Sequence, residues 1–100
     1  MVPMTIEMRK FGETLTSHPE GREAFLAFRP VLLHDLRPDE EITIDFQGVM
    51  VLTPSYAVEF IDPLLEQYPQ RVSFKNTQNI TVQRTLEFLS EQWPKGTYNS

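Results

Sequence analysis

One hundred residues, 40% of them hydrophobic and 23% charged, suit one folded domain and not a disordered chain. Fourteen acidic against nine basic residues leave a net charge of −5, and Arg9-Lys10 is the only adjacent basic pair, so neither nucleic acid nor an anionic membrane surface is expected as a partner. Cysteine is absent, which excludes disulfides, thiol nucleophiles and thiolate metal sites, and no apolar run approaches the roughly 20 residues that span a bilayer.

Along the chain, Ile6 and Met8 alternate with Thr5, Glu7 and Arg9, the period of a half-buried strand that Phe11-Gly12 ends. Ser17-His18-Pro19-Glu20 has the form of a capping box, with Ser17 as N-cap and Pro19 in the first turn. The helix that follows places Phe25, Phe28, Leu32 and Leu36 on one stripe, and Pro30 within it predicts a kink or break. Pro38 closes the segment, and Asp39-Glu40-Glu41 reads as a solvated turn.

Ile42-Thr43-Ile44-Asp45-Phe46 is the clearest strand; after Gln47-Gly48, Val49-Met50-Val51-Leu52 continues as a short extended apolar piece. Thr53 as N-cap and Pro54 at the first helical position open a second helix. Its buried face is Ala57, Phe60, Ile61, Leu64, Leu65 and Tyr68, and Pro63 should bend it. Val72 and Phe74 mark a last strand. Asn79 caps a final helix with Val82, Leu86, Leu89 and Trp93 on one side, and Phe88 pointing away from them. The middle and last strands, joined by a helical crossover, should be parallel. Because all three strands alternate cleanly, one sheet face, carrying Thr5, Glu7, Arg9, Thr43, Asp45, Arg71, Ser73 and Lys75, should be open. The expected fold is an α/β two-layer sandwich: one domain over residues 1–100, with a core at about 5–93 and a loose tail from 94.

Catalytic chemistry finds little support. His18 and His34 do not have the spacing of a helical ligand pair and read as surface or capping residues; Asp39, Glu40 and Glu41 lack the alternating oxygens and glycine turn of a cation loop. Glu59, Asp62 and Glu66 share a helix flank with no group set opposite them, and four isolated glycines form no phosphate loop. No enzyme, metal or cofactor is expected. Thr53-Pro54-Ser55 is the more informative segment, since a helix start offers unpaired N–H groups beside two hydroxyls. Plain capping is one reading; a small-anion, phosphorylation or partner-docking site is the other.

The segments Ile42-Thr43-Ile44-Asp45-Phe46-Gln47-Gly48-Val49 and Leu52-Thr53-Pro54-Ser55-Tyr56-Ala57-Val58-Glu59 resemble the STAS-like domain family of unknown function, related to the STAS domains of anti-sigma-factor antagonists and sulfate transporters. Lys10-Phe11-Gly12, Phe74-Lys75-Asn76 and Asn79-x-x-Val82 are similar to it as well. The resemblance implies a small mixed sheet with its three main helices mostly on one side. In the antagonists the matching helix start reads Asp-Ser-Ser-Gly, and its second serine, the one phosphorylated by a partner kinase, falls on Ser55. Thr53 replaces the Asp, Pro54 the first Ser and Tyr56 the Gly; a side chain as large as Tyr56 is expected to stand in the way of a kinase loop. Val58 stands where the STAS-like family usually has an acidic residue.

The expectation that results is a non-enzymatic, STAS-like, protein-binding regulatory module in a bacterial signalling switch, its contact surface formed by Thr53, Ser55, Tyr56, Glu59, Asn76 and Asn79, with Ser55 open to phosphorylation. The expected partner is a histidine-kinase-type ATPase or an anti-sigma-like regulator. Self-association as a homodimer, or partner contact, is expected to involve Phe88. The alternative is a small-ligand or nucleotide-sensing domain. The opening Met1-Val2-Pro3-Met4-Thr5 lacks the plan of a secretory signal, so a cytoplasmic location is expected.

Overall fold

The computed structural model describes residues 3–98. The first alternating segment forms β1 (Met4–Glu7), and a 3₁₀ turn over Met8–Phe11 leads to β2 (Thr14–Leu15) and then α1 (His18–Asp35). The second forms β3 (Ile42–Asp45), followed by β4 (Val51–Leu52) and α2 (Pro54–Gln67), and the chain continues through β5 (Val72–Lys75) to α3 (Ile80–Ser90). Strands β1, β3 and β5 make one sheet in that order, and β2 and β4 make a second. Every ladder among the described residues is parallel, including the β3–β5 pair that the helical crossover predicts.

The alternation sets the layers. Ile6, Ile42, Ile44 and Val72 point to one side and are buried with Phe60, Leu64, Val82 and Leu86 from the helices. On the other face the register brings Thr5, Thr43 and Ser73 into one row and Glu7, Asp45 and Lys75 into the next. These six are exposed or half-buried, so this face is open within the chain. Two of the eight residues expected there are used elsewhere. Glu7 pairs with Asp45 at the last rung of the β1–β3 ladder, so the chain turns into the 3₁₀ segment before Arg9. Arg71 precedes β5, and its guanidinium donates to the carbonyls of Arg37 and Glu40 and lies over the Tyr68 ring, clamping the connection between α1 and β3. The expected solvated turn at residues 39–41 is therefore held from below.

Both internal prolines are carried within continuous helices. Pro30 lies on the outer face of α1, where it and Leu26, whose carbonyl loses its donor, are exposed, so water can replace the missing bond. The expected break at Pro30 does not occur. A turn in which Thr97 N–H donates to the Pro94 carbonyl brings Tyr98 edge-on to Phe74, which stacks between Phe46 and Trp93. The Trp93 indole N–H donates to Asp62 at 2.9 Å, so one of the flank carboxylates serves the packing of α2 against the tail.

The two long helices meet through a glycine. A Cβ on Gly21 would lie 2.4 Å from the Tyr56 carbonyl oxygen and 3.1 Å from the Glu59 Cβ, so this residue sets how closely α1 approaches α2. In an exposed helix interior Gly→Ala gains about 1 kcal/mol. Here Gly21→Ala should instead lower stability by about 1–2 kcal/mol in urea melts, because the extra methyl forces the backbones apart. A stabilised variant would show that the helices are not in contact at this point.

Candidate functional site

Helix α2 starts where β4 ends. Thr53 is extended, and its hydroxyl is placed to accept from the Tyr56 N–H at 3.5 Å, a long cap, while donating to the Thr16 carbonyl at 2.9 Å. The Thr53 N–H donates to the Leu15 carbonyl. Thr53 thus joins the start of α2 to the β2–α1 junction, where Ser17 accepts from the Glu20 N–H and donates its hydroxyl to the Glu20 carboxylate. Half of the predicted capping box is present: Ser17 caps the Glu20 N–H, but the Glu20 carboxylate accepts the cap hydroxyl in place of the Ser17 backbone N–H. Next to it His18 approaches Glu59 at 3.5 Å.

The third helix start joins the same region from the other side of β4. Asn79 caps α3 by accepting from the N–H groups of Thr81 and Val82, and its amide donates to the Met50 carbonyl. Thr81 accepts from the Leu52 N–H at 3.1 Å, and Thr85 donates to the Leu52 carbonyl at 2.8 Å. Successive strand residues point their backbone groups to opposite edges, so Thr53 and Val51 serve β2 while Leu52 serves α3. Three helix N-termini, each with a positive dipole end, are therefore tied to the two-stranded sheet.

The six expected contact residues do not form one surface. Thr53 reaches the Thr16 carbonyl just before Ser17, and Glu59, one helical turn after Ser55, reaches His18. Asn79 belongs to the β4–α3 junction. Asn76 belongs to the carboxyl end of the main sheet, where it adopts φ 57° and donates its amide to Asp45 at 2.8 Å. Tyr56 is 2% exposed and so contributes nothing to a surface. Its ring is in the core and does not stand over Ser55, contrary to expectation. Of this set, only Ser55 combines a half-exposed position with a hydroxyl that has no hydrogen bond among the described residues.

At the end of the main sheet, burial raises the Asp45 pKa, but the Asn76 amide, the Gln47 N–H and the charge of Lys75 together outweigh it and hold the carboxyl below its ordinary value. A cavity of about 520 Å³ opens here, lined by Glu7, Arg9, Lys10, Asp45, Gln47 and Gly48. Its charges are paired with one another or with neighbours: Lys10 with Glu7, and Arg9 with Glu13, both at 3.2 Å. Gly48 has φ 84°, and a Cβ there would meet the Arg9 Cδ at 2.3 Å. Sequence reading missed Arg9, Thr81 and Thr85 as structural partners. Thr85 could have been found, since it interrupts the apolar stripe of Val82, Leu86 and Leu89 at a buried position.

The buried Tyr56 hydroxyl has no partner among the described residues. Burial, followed by the charge of Glu20, pushes its pKa from 10.0 up to about 12. In the unfolded chain the phenol ionises near pH 10, while the folded protein keeps its proton until about pH 12. The stability this provides is complete below pH 10 and is lost across that window, on the order of 2–3 kcal/mol. Tyr56→Phe should be neutral or slightly stabilising at pH 7, since no hydrogen bond is lost. Its stability should also fall less than that of the wild type between pH 10 and 12. Equal alkaline loss in urea melts of the two proteins would show that the phenol is accessible.

Among the described residues, no group of three or more His, Cys, Asp or Glu side chains could hold a metal ion, and no helix is long and apolar enough to cross a membrane. No curated protein matches the chain. No solved structure matches it either. The family model described as "STAS-like domain of unknown function (DUF4325)" matches residues 28–81, from Phe28 in α1 through β3, β4, α2 and β5 to Thr81 in α3. With more than half of its length matched, this chain belongs to the STAS-like domain family of unknown function.

Proposed function

We propose that this domain is a non-enzymatic, protein-binding regulatory module of a bacterial signalling switch, and that it engages its partner through the first turn of α2. The observation that carries this reading is the state of Ser55. Thr53, Tyr56, Glu59, Asn76 and Asn79 are bonded or buried within the fold, whereas Ser55 keeps a free hydroxyl at the second position of the helix. Added negative charge there is favoured by the helix dipole, so a phosphoryl group or a carboxylate would leave the fold intact. The partner this fits is a histidine-kinase-type ATPase or an anti-sigma-like regulator, whose contact would respond to that charge.

The test separates fold from contact. Thr53→Ala should cost about 1–2 kcal/mol, because the cap and the bond to the Thr16 carbonyl are both lost. Ser55→Ala and Ser55→Glu should stay within about 0.5 kcal/mol of the wild type. Capture from native-cell lysate with the wild-type and Ser55→Glu proteins as paired baits should then show a partner held by the first and released by the second. Equal capture by both would leave Ser55 an ordinary first-turn serine.

A small-ligand or nucleotide-sensing role is the second reading, favoured by the cavity at the carboxyl ends of β1 and β3, the usual place for ligands in parallel sheets. A nucleotide held there at 100 times its dissociation constant adds about 2.7 kcal/mol of stability. A nucleotide panel that leaves the melting temperature unmoved sinks this reading.

A further inference from the structure

The outer face of α3 carries the most distinctive surface of the molecule. Ile80 and Phe88 are 56% and 62% exposed, and Met50, 62% exposed, has its carbonyl held by Asn79 at the cap of the same helix. Arg84, Glu87 and Glu91 line the same shallow groove as Ile80 and Phe88. At 100° per residue these five side chains fall within an arc of about 100°. Among the described residues, Arg84, Glu87 and Glu91 make no ion pair within the chain, although neighbouring surface charges elsewhere do. Isolated exposed apolar residues need no explanation; a continuous stripe with unpaired charges of both signs does.

The order of the charges indicates the occupant. Arg84 and Glu91 are separated by seven residues, about 10 Å along the axis, and Phe88 lies next to their midpoint. A second copy of α3 laid antiparallel about that midpoint sets Arg84 of each chain against Glu91 of the other, with the two Phe88 rings packed on one side of the axis and the two Glu87 carboxylates facing each other on the other side. A parallel partner would place like charges together. Two Arg84–Glu91 pairs against one Glu87–Glu87 contact leave the face attractive to its own antiparallel copy, as a two-fold interface requires. We propose that this face is a homodimer interface, with α3 packed antiparallel on α3 of a second copy, Phe88 at its centre and paired Arg84–Glu91 contacts on either side. A face only three turns long is below the roughly 1,000 Å² of a stable interface, so the dimer is weak and concentration-dependent. The proposal does not depend on the Ser55 surface.

Sedimentation velocity of the whole chain over a concentration series extending to millimolar tests it. The wild type should pass from monomer to dimer, and Phe88→Ser, Arg84→Glu and Glu91→Arg should each weaken dimerisation at least about tenfold, the loss expected when a central contact or its charge pairing is removed. All three sites are exposed, and unchanged melting temperatures will show that the fold is kept. The decisive arm mixes the Arg84→Glu and Glu91→Arg proteins: each alone sets like charges together, while the mixed pair sets opposite charges together at both contacts. Recovery of the dimer in the mixture, and in the double variant, supports the interface. A wild type that stays monomeric throughout, a larger oligomer, or a mixture no better than either variant alone overturns it.

Discussion

The backbone of β4 must have its polar groups satisfied on both edges, and the rest of the structure is arranged around that requirement. Two residues are too few to hold a strand by a ladder alone. Val51 and Thr53 look toward β2 and donate to the carbonyls of Glu13 and Leu15, while Leu52 looks the other way and finds two threonine hydroxyls of α3 in place of a strand. The side chains that complete the Leu52 edge, Thr81 and Thr85, belong to the first two turns of α3, and Thr53 is itself the cap of α2. The same bonds that pair the strand therefore fix where α2 and α3 begin, and the Thr53–Thr16 bond fixes the junction before α1. Positioning of the helix starts is a consequence of backbone accounting.

The carboxyl end of the main sheet is held by a different device. Asp45 accepts from the Gln47 N–H and from the Asn76 amide, and so joins the end of β3 to the end of β5. Asn76 reaches it from the left-handed region, which Asn tolerates better than most residues, and Gly48 takes the positive φ that lets the chain turn under Arg9. Asp45-Phe46-Gln47-Gly48-Val49 and Phe74-Lys75-Asn76, two segments that resemble the family pattern, are thus structural here: they close the sheet end, and Phe46 and Val49 turn back into the core.

Much of this was legible in the sequence because local rules decided it. Alternation in Ile42-Thr43-Ile44-Asp45 gave the strand, its buried face and the open face, and the cap residues Ser17, Thr53 and Asn79 all bond as their positions imply. The two-stranded sheet was not legible. Thr14-Leu15 carries too short a pattern to register, and its pairing with Val51-Leu52 depends on contacts 37 residues apart. The clustering of the contact residues failed for a related reason. Beyond the caps that Thr53 and Asn79 supply, Thr53, Asn76 and Asn79 each reach a partner about 30 residues or more away in the chain, and such partners leave no local trace. Arg71 was misplaced in the same way, by period alone.

The fate of Tyr56 bears most directly on the proposed switch. A glycine at this point would leave the first turn of α2 bare; a tyrosine could either cover Ser55 or leave the surface. It leaves the surface, because Gly21 on α1 lets the backbones close to contact and the space beneath takes the ring. Burial of that much apolar area outweighs the desolvation of one hydroxyl, which is left without a bond. Tyr56 therefore stands where the two longest helices approach most closely, one residue after Ser55. On the proposed reading, a partner pressing on this turn would meet a junction where α1, α2 and the end of β2 are bonded together, so charge placed on Ser55 would act at the contact itself and not through a loosened helix start.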